Sequence, residues 1–66
     1  MRIVLNGERY PLDEGATVAA LVDALALKGR RIAVEVNEEV VPRSRHAAHH
    51  LKDGDRVEVV HAIGGG

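Results

Sequence analysis

The chain contains no cysteine, no tryptophan and no phenylalanine, and a single tyrosine, Tyr10. Without cysteine there is no disulfide to staple the fold, no thiolate nucleophile and no thiolate metal ligand. With one aromatic ring there is no platform on which single-stranded bases could stack. An excess of one charge is also missing: nine basic residues stand against ten acidic ones, a net charge of −1. Nucleic-acid binders draw affinity from counterion release by a basic face. Here the basic clusters Arg30-Arg31 and Arg43/Arg45 are separated by Glu35, Glu38 and Glu39, so no nucleic-acid partner is expected. No apolar run approaches the length of a membrane span, and Met1 leads straight into Arg2-Ile3-Val4-Leu5 without the pattern of a signal peptide. A soluble cytoplasmic protein with no membrane partner is therefore expected.

Catalytic equipment is equally scarce. Apart from Tyr10 the only hydroxyl side chains are Thr17 and Ser44, and neither sits in a nucleophile motif. The carboxylates scatter over turns and outer faces without a convergent pair for acid–base work. A domain of 66 residues buries only about 60% of its unfolded surface, which leaves little room for a deep pocket. These features point away from a self-contained enzyme, and no bound cofactor is expected.

What the chain does have is clear periodicity. Residues 2–5 and 8–12 read as two strands joined by Asn6-Gly7, the pair that best satisfies the positive φ angles of a type I′ hairpin. Pro11 cannot donate to a ladder, which puts the second strand at a sheet edge. Thr17 is positioned to cap a helix whose stripe is Val18, Leu21, Val22 and Leu25, spaced i, i+3, i+4, i+7. Lys28 and Gly29 suit its end. Residues 31–36 alternate, with Ile32, Val34 and Val36 on one face and Ala33 and Glu35 on the other. Asn37-Glu38 reads as a turn before a short strand at Val40-Val41, which Pro42 stops. Residues 44–51 read as an irregular or helical turn. Asp53-Gly54-Asp55 feeds a last strand, 56–62, with Val57 and Val59 inward and Glu58, Val60 and Ala62 outward.

The order β-β-α-β-(short β)-β predicts an α+β domain over residues 1–63. Its mixed four- to five-stranded sheet packs on one main helix, with the first and last strands parallel at the centre. That is the β-grasp, or ubiquitin-like, arrangement. Residues 64–66 form a separate, flexible glycine tail in this reading.

Four histidines raise the question of a metal. His46 and His50 are spaced i, i+4 near Asp53, but a zinc site needs three or four protein ligands, and His61 belongs to another element. Solvent-facing histidines and no metal site are expected.

The most informative stretch is Gly64-Gly65-Gly66. Glycine enters a narrow active site without a side chain and with almost any backbone angle. A bare glycyl α-carboxylate at Gly66 suits activation by adenylation in a partner enzyme, with Gly64 and Gly65 threading into that partner. The competing account is an ordinary frayed linker. A tail delivered to a partner also needs a docking surface. The outward sheet face offers one: Val4, Ala33, Val60 and Ala62 around Glu35 and Glu58.

Three segments carry a family resemblance: Val36-Asn37-Glu38-Glu39-Val40-Val41-Pro42-Arg43, Leu51-Lys52-Asp53-Gly54-Asp55-Arg56-Val57-Glu58-Val59-Val60, and the terminal glycines. Together with the length, the opening strand and the Asn-Gly turn, they resemble the ThiS family of thiamine-biosynthesis sulfur carriers along essentially the whole chain. The resemblance implies a carrier rather than a catalyst. An activating (ThiF-like) enzyme would use ATP to adenylate the carboxylate of Gly66. Sulfur from a cysteine desulfurase or rhodanese-type persulfide would then replace the adenylate as a thiocarboxylate. A ThiG-like thiazole synthase would take that sulfur for the thiazole ring. A chain without cysteine could carry transferable sulfur only on its C-terminus, which agrees with this. A monomer is expected in isolation.

Three other readings stand at this level. They are a sulfur carrier for molybdopterin synthesis, a ubiquitin-like protein modifier, and a freestanding RNA-binding or regulatory β-grasp module.

Overall fold

The computed structural model describes residues 1–61. Ala62, Ile63, Gly64, Gly65 and Gly66 lie outside the described residues, and with them the expected boundary between domain and tail. Five strands and one α-helix follow in the order β1 (Arg2–Leu5), β2 (Glu8–Pro11), α1 (Val18–Ala24), β3 (Ile32–Val36), β4 (Glu39–Val41) and β5 (Arg56–His61), with a 3₁₀ turn at Arg43–Arg45 between β4 and β5. They form one sheet of order β2-β1-β5-β3-β4, helix-covered on one side, the β-grasp arrangement expected from the order of elements. β1 and β5 run parallel at the centre, and β2 with its Pro11 lies at an edge.

Local chemistry sets both hairpins. Asn6 and Gly7 adopt φ of 49° and 85°, and Asn37 and Glu38 adopt 51° and 72°. Positive φ at both central residues gives turns whose twist matches that of the flanking strands. Glycine takes such angles freely, asparagine tolerates them, and Glu38 is strained there. The second hairpin sets the register Val36↔Glu39, Glu35↔Val40 and Val34↔Val41, which turns Val41 into the core and Val40 out to solvent.

The helix is shorter than its pattern suggested. Thr17 caps it as expected, its Oγ1 accepting from the Ala20 N–H at 3.1 Å. The last helical residue is Ala24, with Leu25 as C-cap, so Lys28 and Gly29 lie beyond the end. Ala26 enters the left-handed region at φ 60°. Its N–H bonds the Asp23 carbonyl at 3.0 Å, and the Leu27 N–H bonds that of Val22 at 3.0 Å, which is the double closure of a Schellman motif. The chain must reverse at Ala26, a place usually held by glycine, to bring Leu27 onto the core. That tertiary demand outweighs a local penalty of about 1–2 kcal/mol.

Ile3, Leu5, Val34, Val36, Val41, Val57 and Val59 from the sheet meet Val18, Leu21 and Val22 from α1 and Leu51 from the 3₁₀-to-β5 connection. Each of the fully buried ones contributes about 1.5–3 kcal/mol. The connection runs beside the entry to α1, with Val18 N–H on the His49 carbonyl at 2.9 Å and Leu51 N–H on that of Ala16 at 2.8 Å.

One histidine departs from the expectation of solvent exposure. His46 is buried, its Nε2 2.9 Å from the Val41 carbonyl. A carbonyl only accepts, so Nε2 carries the hydrogen. His46 thus satisfies the last carbonyl of β4, while its own carbonyl accepts from the Ala19 N–H at 2.9 Å. His50 stays exposed, with Nδ1 2.9 Å from the Gly15 carbonyl. These two rings bond to separate backbone carbonyls, and among the described residues no group of three or more His, Asp or Glu could hold a metal ion.

Candidate functional site

The site consists of the outer sheet face and the end of β5 that leads toward Ala62–Gly66. Alternation along the strands places Val4, Ala33, Glu35, Glu58 and Val60 on this face, opposite the helix, as their parity predicted. The pairings Ala33↔Val60 and Glu35↔Glu58 bring them together on the two adjacent strands β3 and β5. Val4 lies across β5, paired with Arg56. Ala62, Gly64, Gly65 and Gly66 are outside the described residues.

Two features of this face were not read from the sequence. The first is Val40. It is 66% exposed, Val60 is 54% exposed, and these are the large hydrophobic side chains that the described residues leave in solvent. Both point outward, with Glu35 paired to Val40 on one side and to Glu58 on the other. The Val40-Val41 doublet has no alternation of its own, so the signal lay only in the length of the Asn37-Glu38 turn. The second is a like-charge pair. Glu35 and Glu58 are directly opposed across β3 and β5, and with Glu38 and Arg56 they line a small concavity of about 110 Å³. Directly opposed like charges destabilise a sheet by about 0.2–1 kcal/mol. The face therefore combines two exposed valines with a carboxylate strip that includes Arg56, a surface able to meet apolar and charged groups on a protein.

Backbone clamps fix how β5 leaves the sheet. The Asn6 N–H donates to the Val57 carbonyl at 2.9 Å, after which β1 turns away. The Asn6 side chain continues the ladder, with Oδ1 accepting from the Val59 N–H at 2.9 Å and Nδ2 donating to the Val59 carbonyl at 3.3 Å. At the start of β5 a second asparagine acts similarly: Asn37 Oδ1 accepts from the Arg56 N–H at 2.9 Å and Nδ2 donates to Asp55 at 3.0 Å. In the Asp53-Gly54-Asp55 turn, Asp53 accepts from the Arg2 N–H at 2.8 Å, Asp55 accepts from the Lys52 N–H at 2.8 Å, and the Gly54 N–H donates to the Arg2 carbonyl at 2.7 Å. The motif residues Asn37, Asp53, Gly54 and Asp55 thus act structurally: they tie the two hairpins and β1 to the strand that carries the C-terminal segment.

A small β-grasp domain with an exposed, half-apolar sheet face beside its last strand belongs among the ubiquitin-like carrier folds. Comparison with known proteins makes this specific. The sequence matches the ThiS family over residues 3–66, and the chain belongs to that family. It is 32% identical over 66 residues to the sulfur carrier protein ThiS of Escherichia coli strain K12, covering 100% of both chains. A crystal structure of the thiamine biosynthesis protein ThiS from Geobacter metallireducens superposes with a TM-score of 0.86 at 36% identity, covering 100% of both chains. The chain is also 44% identical over its full 66 residues to a thiazole synthase of Paramagnetospirillum magneticum, of whose length it spans 20%.

Proposed function

We propose that the carboxylate of Gly66 is the sulfur-carrying group of this chain. The observation that carries the reading is a family match that runs through the terminal glycines, to residue 66. An activating enzyme of the ThiF type would join the Gly66 carboxylate to the adenylyl group of ATP, with pyrophosphate leaving. The acyl carbon then becomes electrophilic: the terminal sulfur of a protein persulfide displaces AMP to form an acyl disulfide, and a thiol then reduces that S–S bond, releasing the thiocarboxylate and leaving a disulfide behind. A cysteine desulfurase or rhodanese-type protein supplies that sulfur. Thiazole synthase then draws on the thiocarboxylate. The matches to a segment of two longer proteins, each a thiazole synthase, support that pairing: a sequence like this one occupies a fifth of each.

In this reading the protein itself catalyses nothing, binds no cofactor and acts as a cytoplasmic monomer. Gly64 and Gly65 pass through the partner's entrance, where any side chain would obstruct. The outer sheet face, Val4, Glu35, Glu58, Val60 and Ala62, docks the domain so that Gly66 reaches the reacting atoms. Three extended glycines span about 10 Å, so docking must occur close to the partner's active site. Ordering them costs about 3–6 kcal/mol of backbone entropy, which contacts of the folded domain must offset.

The test is intact mass spectrometry after incubation with the activating enzyme, ATP and a sulfur source. A sulfur-for-oxygen exchange located in the C-terminal peptide is expected. Sulfur located elsewhere, or none where the Escherichia coli carrier is converted, would overturn the proposal. The same spectrum reads whether the Gly66 carboxyl is free.

A further inference from the structure

On the helix side of the molecule the fold brings together two basic clusters that the sequence keeps apart. Arg43, in the 3₁₀ turn, donates from Nη2 to the Arg30 carbonyl at 2.6 Å. This bond ties the 3₁₀ turn to the loop that follows α1, and between them and α1 lies an open groove of about 600 Å³. Ala19, Val22, Leu27, Ile32 and Ala47 contribute its apolar lining, Leu27 and Ile32 being only half-buried. Lys28, Arg30 and Arg43 supply its cations, and Asp23 is the single carboxylate among the lining residues. None of the three cations makes an ion pair among the described residues. The groove is on the layer formed by α1 and the 3₁₀ turn, and the carboxylate strip is on the opposite side of the sheet.

We propose that this groove is a second docking site, and that it takes a segment of a partner protein in which apolar side chains alternate with carboxylates. Charge complementarity selects the occupant: three cations against one carboxylate in the lining favour an acidic ligand. The half-buried Leu27 and Ile32 require that it also present apolar side chains, since exposed cations alone contribute little binding in water. Nucleic acid fits poorly, because the one aromatic ring in the lining, that of His46, is buried and leaves no platform for bases. The placement leaves the outer sheet face free. A partner seated in the groove could therefore hold the domain while another protein engages the opposite side. This inference does not depend on the sulfur chemistry and is tested without any activating enzyme.

The probe is a fluorescent peptide of alternating leucine and glutamate, titrated by fluorescence anisotropy and by amide chemical-shift changes in the labelled protein. Shifts are expected at Ala19, Leu27, Lys28 and Ala47 and not at Val4 or Val60. Lys28→Glu combined with Arg30→Glu should weaken binding at least about tenfold, the equivalent of 1.4 kcal/mol. Lys28→Gln with Arg30→Gln, which removes charge without adding repulsion, should give a smaller loss. Asp23→Ser should tighten binding, and raising salt should weaken it. Circular dichroism of each variant checks that the fold is kept. Absence of binding, equal binding of a leucine–lysine peptide, preference for an oligonucleotide, or shifts on the outer sheet face would each overturn the proposal.

Discussion

The side-chain amide of Asn6 brackets the backbone of Val59, accepting from its N–H at 2.9 Å and donating to its carbonyl at 3.3 Å. The two residues are 53 apart in sequence, yet the amide stands in for the next peptide of β1 just where that strand turns into its hairpin. β5 is thereby kept in the sheet two residues before the described chain ends. Asn6→Gly keeps the positive-φ turn but removes both bonds. It should lower stability by about 1–2 kcal/mol in denaturant unfolding and reduce hydrogen-exchange protection at Val59. Asn6→Asp should cost more, because a carboxylate oxygen would face the Val59 carbonyl.

Ala26 is the left-handed residue that ends α1, at φ 60°. Ala26→Gly relieves the Cβ penalty at the cost of greater freedom in the unfolded chain, so a net gain of about 0.5–1 kcal/mol is expected. Thermal melts check it. A loss would mean that the Ala26 methyl makes packing contacts stronger than its strain.

His46 is buried with its Nε2 on the Val41 carbonyl. His46→Leu fills similar space but leaves that carbonyl without its donor, so a loss of about 1–3 kcal/mol is expected in denaturant unfolding. His50→Leu, at an exposed position, should cost less.

Glu58 opposes Glu35 across the sheet. Glu58→Lys converts repulsion to attraction and should stabilise the fold by about 0.2–1 kcal/mol. If the carboxylate strip docks the activating enzyme or thiazole synthase, the same variant should bind that partner more weakly. Higher stability together with weaker binding by calorimetry would mark the pair as retained for recognition; unchanged binding to both would remove Glu58 from the interface.

Val60 is 54% exposed and points away from the core. Val60→Asp should leave circular dichroism and melting temperature nearly unchanged, because the side chain is solvated in the free protein. It should weaken binding to the partner enzymes at least about tenfold by burying an unpaired charge at the interface. Full affinity for both enzymes would move docking to another surface.

Much of this molecule is determined by sequence alone, because the determinants are local. Asn6-Gly7 specifies its turn through φ, Thr17 specifies a helix start through its hydroxyl, and the alternation from Ile32 to Val36 specifies a face. Parity then carried Val4, Glu35, Glu58 and Val60 to the outer side without any coordinates. What the tertiary structure decided are the features that depend on residues distant in sequence. The helix ends at Ala24 because Leu27 packs on a core assembled from the sheet, an energy that appears in no local window. His46 is buried because β4 leaves a carbonyl that needs a donor, and Val40 is exposed because the register of the Asn37-Glu38 hairpin gives Val41 the inward position. Arg30 and Arg43 share one groove because the chain between them goes out along β3 and back along β4, and Asn6 meets Val59 because β1 and β5 are parallel neighbours. Local conformational preference is encoded within a few residues, whereas a contact between distant segments exists only once burial of the shared core has brought them together.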